Sequence, residues 1–316
     1  MPSLRQLEYL VALADSRHFR RAAERCNTTQ PTLSEQIKAL EERLGAQLVE
    51  RSRSGVLLTP IGAAATEIAR RMLRDANEIR SIAAGGDASL KGVLRLGLPS
   101  TIGPYLLPYV VPTLHRTYPD LKLYVREELP QTLPRSLEEG SYDIVITPLP
   151  LRGEELHTVD LFREPLFLTL GADHPLAAKD RIEREDLRGQ EILTLGPGHQ
   201  LHDVVLALCE EFGAQVRLDY EGTSLDMLRE MVITGLGITF MPGLYVRREL
   251  TSDTSLKVVT LHGRSVYRNI GMAWRKSSAR QPSFEAIAAL FRDTIRAEFG
   301  DLSRLGGVPL HHAPTT

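Results

Sequence analysis

Phe19-Arg-Arg-Ala-Ala-Glu-Arg-Cys-Asn-Thr-Thr-Gln-Pro-Thr-Leu-Ser-Glu-Gln-Ile-Lys-Ala-Leu-Glu-Glu-Arg-Leu44 is the stretch on which the fold turns. Phe19, Ala22, Ala23 and Cys26 recur at helical spacing, and Leu33, Ile37, Leu40 and Leu44 follow one per turn. The pattern predicts two short amphipathic helices meeting at a tight Asn27-Thr28 corner. Thr29 can cap the second helix, and Pro31 fits its first turn, where no intrahelical N–H is lost. Gln30, Thr32, Ser34, Glu35 and Lys38 are left pointing outward. A short helix with an apolar inner face and small polar or cationic groups near its N-terminus suits the major groove of DNA. Gln30, Thr32, Ser34 and Lys38 are the candidates for base readout, with Pro31 as an apolar contact. Gln and Lys carry the donors that adenine and guanine edges accept, each good pair giving about 1–3 kcal/mol of discrimination.

Working outward, residues 4–14 predict a first helix with Leu7, Leu10, Val11 and Ala14 inward. The segment Arg51-Ser-Arg-Ser-Gly-Val-Leu-Leu-Thr59 turns at Ser54-Gly55 and reads as a β-wing that aims Arg51 and Arg53 at phosphates. Pro60 starts a long helix to about residue 81, whose apolar positions Ile61, Ala65, Ile68, Met72, Ala76, Ile79 and Ile82 step by threes and fours. Such a stripe is the seam of a helix pair, and dimerisation is its physical reading. Residues 83–92, rich in Ala, Gly and Ser, read as a hinge. Strands and helices then alternate, the α/β signature: strands at 93–98, 121–127, 142–147, 161–170, 191–195, 237–242 and 269–275, and helices at 104–116, 132–139, 201–212, 224–234 and 284–298. Residues 302–316 lack periodicity and are expected to be a disordered tail.

The chain has 316 residues and a formal charge of −2, which does not by itself suggest a nucleic-acid binder. The average conceals a split, with 13 Lys+Arg against 11 Asp+Glu in residues 1–90 and 25 against 29 in the remainder. Arginine dominates the N-terminal basic set, favouring forked contacts to phosphate and guanine. No apolar run approaches the roughly 20 residues that span a bilayer. Arg5 and Glu8 interrupt any signal-peptide core, and two cysteines are no disulfide framework, so a reducing cytoplasm is the expected home.

The set Leu7-Glu-Tyr-Leu10, His18-Phe-Arg-Arg-Ala-Ala23, Gln30-Pro-Thr-Leu-Ser34, Ile37, Leu40-Glu41, Leu44-Gly45, Leu48, Arg51 and Thr59-Pro-x-Gly62 closely resembles the N-terminal half of LysR-type transcriptional regulators, in order and spacing. The resemblance extends from about residue 3 to about 299. Within the family the chain looks most like the OxyR-type peroxide sensors, through Gly97-Leu-Pro-Ser-Thr-Ile-Gly-Pro-Tyr-Leu-Leu-Pro108 and Thr223-Ser-Leu-Asp-Met-Leu-Arg229. It implies a winged helix-turn-helix at 1–59, a dimerising linker helix and hinge at 60–91, and a two-lobed, periplasmic-binding-protein-like α/β region at 92–301. Lobe I would comprise about 92–161 and 269–301, and lobe II about 162–268. It also implies an operator in double-stranded DNA, a homodimer through the linker helix, a homotetramer, contact with RNA polymerase, and activation by a small effector. The effector cleft would lie at Ser100-Thr101, with Thr147-Pro148, His199-Gln200, Asp203 and Thr223 facing it. Hydroxyls and free N–H groups at a helix N-terminus favour an anion or a polarised oxygen, although helix capping also accounts for Thr101 and Thr223.

One position departs from that subgroup. OxyR-like sensors carry a reactive cysteine after a Gly-His pair and a resolving cysteine nine residues later, whereas this chain has Gly198-His199-Gln200 and then Cys209. An amide cannot form a sulfenic acid or a disulfide. His202 also replaces a thiolate-stabilising arginine, and Pro130 replaces a hydroxyl. Cys26 lies on an apolar stripe of a different domain, and Cys209 lies on the stripe Val205-Leu208-Cys209-Phe212, where a buried thiol is inert. A ligand-controlled regulator is therefore expected, with a one-cysteine response through Cys209 as the alternative. A solute-capture protein and a hydrolase or transferase on the α/β lobes are the rival classes. No metal-ligand spacing, phosphate loop or nucleophile–base pair is visible, so no cofactor, metal or catalytic residue is assigned.

Overall fold

The computed structural model describes residues 1–52, 55–83, 90, 92–251, 253–263 and 265–300. Two compact units divide the chain, the first spanning 1–87 with 138–141 and the second taking the rest. Arg53, most of the 83–92 hinge and the 302–316 tail lie outside the described residues, and of Arg51 only the backbone is described.

In the first unit, α1 (Leu4–Ser16) is opened by a capping box in which the Ser3 hydroxyl and the Gln6 side chain serve each other's backbone N–H. Helix α2 (Phe19–Arg25) follows, and Asn27 takes the left-handed conformation at φ +50° to turn the corner. Helix α3 (Gln30–Leu44) starts under the Thr29 cap, whose hydroxyl accepts from Thr32 N, and stops at Gly45 in the left-handed region. Leu10, Leu13, Ala22, Leu33, Ile37, Leu40 and Leu48 close the core of this unit. The wing is the antiparallel pair β1 (Val49–Ser52) and β2 (Gly55–Leu58).

Helix α4 (Pro60–Ala83) packs along α1. Thr59 anchors its start: the hydroxyl donates to Gln47 O at 2.7 Å and accepts from Gly62 N at 2.9 Å. Gly62, Thr66 and Ala69 form the buried face of α4. Its other face leaves Ile61, Ile68, Met72 and Ile79 between 45% and 66% exposed within the single chain. The helix thus uses one face for its own unit and, among the described residues, leaves an apolar stripe exposed.

The second unit is built on a seven-stranded mixed sheet. Three parallel strands, β4 (Leu121–Glu127), β3 (Gly92–Leu98) and β5 (Ile144–Pro148), run side by side. Next to β5 lies β11 (Val266–Arg275), antiparallel, followed by the long β6 (Leu156–Gly171). Strands β9 (Thr239–Pro242) and β10 (Leu256–Val259) both pair with β6. The register of β6 against β11 slips between Ile270 and Gly271, which pair with Phe162 and Asp160 and leave Leu161 as the extra residue. Such a bulge bends and twists a strand pair. Helices α5 (Gly103–Thr117), α6 (Leu133–Glu138) and α10 (Gln281–Phe299) belong to the first lobe. The second lobe carries the parallel pair β7 (Glu191–Leu195) and β8 (Gln215–Gly222), with α7 (Gln200–Phe212), α8 (Leu225–Ile233) and the short α9 (Gly243–Tyr245).

The sequence pattern fails to announce β8 and β10, and β6 begins five residues before the strand expected at 161. Strand β8 carries no clean apolar stripe, because it edges a two-stranded sheet and leaves Leu218 71% exposed beside Arg217 and Asp219. Among the described residues no helix is long and apolar enough to cross a membrane, and no group of His, Cys, Asp or Glu is arranged to hold a metal ion.

Candidate DNA face and effector cleft

The first turns of α3 expose Gln30, Pro31 and Thr32, leave Ser34 half-buried, and expose Lys38. Thr32 Oγ1 shares a 2.8 Å hydrogen bond with Thr29 Oγ1, so part of its capacity goes to the cap. Lys38 sits 3.8 Å from Glu42, an exposed i,i+4 pair that costs little to part. Glu41, one turn on from Lys38, accepts from the backbone N–H groups of Leu48 and Val49 at 2.8 and 3.0 Å, fixing the wing against α3. That carboxylate is a structural residue the sequence pattern left unassigned.

In the second unit the cleft candidates divide. Gln200 opens α7, and its Nε2 donates to Leu149 O at 2.9 Å, tying the second lobe to the end of β5. Thr147 and Pro148, just before Leu149, are both buried. Thr147 Oγ1, His199 Nδ1 and Gln200 Oε1 are all buried and without a hydrogen-bond partner. Burial, with a smaller contribution from His202, pushes the His199 pKa down. Gly198, at φ +95°, lies against the side chain of Gln131, which a Cβ at Gly198 would approach to 2.6 Å. Gln131 and Leu149 thus join the site without having been singled out from the sequence; neither residue type carries a spacing signal.

Other candidates sit differently. Thr101 is 3% exposed, but its hydroxyl and carbonyl accept from Arg268 Nη1 and Nη2 at 3.2 and 2.9 Å. Ser100 is half-buried in the turn before α5. Asp203 is exposed in the first turn of α7, and Thr223 is exposed beside Ser224, which is the residue that caps α8. Gly196 N donates to Gly222 O, which sets the 196–199 turn beside Thr223.

Arg268 is the residue the sequence pattern missed. It is the direct cross-strand partner of Glu164, and the two form an ion pair of 2.7 Å with side chains 1% and 0% exposed. Glu164 Oε1 also accepts from Leu244 N at 2.9 Å, at the start of α9. The pair therefore joins the turn before α5, the crossing strands and α9. Tyr105 of α5 stacks edge-on against Tyr245 of α9 at 5.1 Å beside it, and Tyr245 donates to Asp226. No sequence signal sets these two apart, because β6 also carries Asp160 and Arg163 and β11 also carries Arg275; only the pairing of the strands brings Glu164 and Arg268 together.

Both cysteines are free and buried. Desolvation pushes the Cys209 thiol up to about 11, and burial also raises Cys26. His202 is buried and its Nδ1 bonds Leu195 O at 2.8 Å.

Comparison with known proteins places these features. Residues 4–63 match the family described as bacterial regulatory helix-turn-helix protein, lysR family, and residues 87–296 match the LysR substrate binding domain. The chain is 39% identical over 297 residues to the DNA-binding transcriptional dual regulator OxyR of Escherichia coli K12, covering 94% of this chain and 97% of that protein. It is 38% identical over 302 residues to the hydrogen peroxide-inducible genes activator of Pectobacterium carotovorum, covering 96% and 100%. Among solved structures, a full-length cysteine-to-aspartate variant of Pseudomonas aeruginosa OxyR superposes with a TM-score of 0.75 at 38% identity, covering 92% of this chain and 95% of that one. A cysteine-to-serine variant of Corynebacterium glutamicum OxyR with hydrogen peroxide bound superposes with a TM-score of 0.65 at 31% identity, covering 98% of each. A capped helix-turn-helix with a wing, followed by a two-lobed α/β region, is thus matched over nearly the full length, and the chain belongs to the LysR family of DNA-binding transcriptional regulators.

Proposed function

We propose that the protein is a cytoplasmic operator-binding regulator switched by a small effector held between its regulatory lobes, and not by thiol oxidation. Gln30, Pro31, Thr32, Ser34 and Lys38 read bases, while Arg51 and Arg53 hold phosphates. The exposed stripe Ile61, Ile68, Met72 and Ile79 pairs two α4 helices. This dimer presents two recognition helices to major grooves about one helical turn apart, roughly 34 Å or a multiple. Two dimers assemble into a tetramer, and effector binding shifts the spacing of the DNA modules and their contact with RNA polymerase. Ser100, Thr101, Thr147, Pro148, His199, Gln200, Asp203 and Thr223 surround the cleft, with Thr101 acting through its bond to Arg268.

The observation that carries this reading is the amide at position 200, bonded to Leu149 O and incapable of oxidation. The names of the relatives favour a second reading, an oxidative-stress regulator responding through Cys209 alone. That response needs a thiolate. A buried thiol with its pKa pushed up to about 11 is ionised to only about one part in 10,000 at pH 7. A DNase footprint on the upstream promoter is expected to be the same before and after stoichiometric peroxide. A footprint that shifts, and does so no longer in Cys209→Ser, would overturn the ligand-controlled reading.

The DNA assignment has its own test. Gln30→Ala is expected to remove the preference for operator over random DNA by about 1–3 kcal/mol. Arg53→Ala is expected to weaken both and to flatten the salt dependence by about one unit of slope. Equal effects of the two substitutions on both DNAs would contradict the roles given them.

A further inference from the structure

We propose that Asp15 is a positioning residue for operator recognition: by tying the dimer-forming helix α4 to α2, it sets the separation of half-sites that the protein accepts. This assignment deepens the dimeric operator-binding reading and rests on it.

One carboxylate serves two other helices. Asp15, the penultimate residue of α1, accepts from Arg25 Nη1 through Oδ2 at 2.8 Å and from Arg70 Nη2 through Oδ1. Arg25 is the last residue of α2, directly before the corner that leads into α3. Arg70 lies on α4 and also pairs with Glu67 of its own helix at 3.5 Å. The Asp15 and Arg70 side chains are 26% and 28% exposed, so the pair is only partly open to water. Nothing local favours an acid at this place. Residue 15 lies in the last turn of α1, where the helix dipole disfavours a negative charge and which holds no basic residue. Its partners come from outside the helix, one from α4 and one from the helix that precedes α3.

Packing alone leaves this joint underdetermined. Among the described residues, the buried face of α4 is made of Gly62, Thr66 and Ala69, small residues that offer few ridges to fix a crossing angle. Thr66 spends its hydroxyl on Gly62 O inside the helix. Apolar contact is non-directional, so it holds the helices together with little preference for one tilt. The start of α4 is pinned at Thr59, whose hydroxyl donates to Gln47 O. One pin permits rotation about itself. Arg70 supplies a second, eleven residues or about 16 Å farther along the axis, and two pins fix a direction. Because the exposed stripe of α4 carries the dimer, the direction of α4 against α2 and α3 fixes where the two recognition helices stand.

The test uses the full-length protein and duplexes that carry the footprinted operator, with its native half-site separation or with two base pairs inserted between the half-sites. Affinities for both, and for a random duplex, are measured with wild type, Asp15→Asn, Arg70→Gln and Glu67→Gln. Two added base pairs turn one half-site by about 70° against the other, so the dimer must break the tie or lose contacts. Asp15→Asn and Arg70→Gln are each expected to reduce the preference for native separation by about two- to tenfold, the range that one or two partly exposed ion pairs supply. Affinity for the random duplex is expected not to fall in either. Glu67→Gln removes only the pair inside α4 and is expected to keep the wild-type preference. Should one of the first two variants not fold, the other carries the test. An unchanged preference in the folded variant, an equal loss on the random duplex, or the same relaxation in Glu67→Gln would each overturn the proposal and leave the regulator reading intact. Absence of operator binding by wild type would overturn both.

Discussion

Arg268→Met is expected to lower the stability of the regulatory region by about 3–5 kcal/mol, the cost of leaving a buried charge without its partner. The pair it breaks is 2.7 Å long, with both side chains essentially inaccessible to water. Glu164 would keep only its bond from Leu244 N, and Thr101 would lose both donors it receives from the guanidinium. Urea unfolding followed by tryptophan fluorescence reads this region alone, because Trp274 is the single tryptophan of the chain and lies fully buried on β11. Glu164→Leu combined with Arg268→Met is expected to recover part of the loss, since an apolar pair removes the unpaired charge. Full recovery is not expected, because Leu244 N and the Thr101 carbonyl still lack partners, at about 1 kcal/mol or more each. A loss below about 1 kcal/mol in the single variant, the value of a surface pair, would show that the ion pair is not the joint described.

Gly62→Ala is the second large effect. A Cβ at Gly62 would stand 1.9 Å from Leu48 O, a backbone atom that cannot swing aside. Leu48 is itself held, its N–H donating to Glu41 and its carbonyl accepting from Thr59 N. The first turn of α4 must therefore move off the wing. Overpacking of this kind costs typically 1–3 kcal/mol and occasionally more. Loss of operator binding and faster proteolysis within residues 1–83 are expected, with the Trp274 unfolding transition unchanged. Gly45→Ala serves as the contrast: its φ is +65° but nothing lies within 4 Å of the added methyl. The cost there is conformational only, about 1 kcal/mol. Similar behaviour of the two variants would mean that the Gly62 contact is not what joins helix to wing.

Pro60 as the start of α4 was legible in the sequence because it acts locally, whereas the Thr59 cap and the place Gly62 leaves for the Leu48 carbonyl emerge only in the fold. The Thr29 cap of α3 and the Asn27 corner, where φ +50° suits asparagine, were legible for the same local reason as Pro60. Apolar stripes at helical spacing likewise identified α1 to α4, because a helix buries residues that are neighbours in sequence. Strand β8 escaped because an edge strand of a two-stranded sheet shows no such stripe.

Chemistry that passes between distant segments was not legible in this way. The residue order shows that position 200 is an amide and cannot enter thiol chemistry. It also placed Cys209 on an apolar stripe and put the outward row of α3 at the front of the chain. Tertiary structure alone decided that Thr101 answers to Arg268 across 167 residues, that Gln200 bonds Leu149 across 51, and that Asp203 and Thr223 stand exposed. The physical reason is one of range. Caps, corners and stripes are settled by interactions within a few residues. A buried ion pair exists only once strands far apart in sequence have been brought into register.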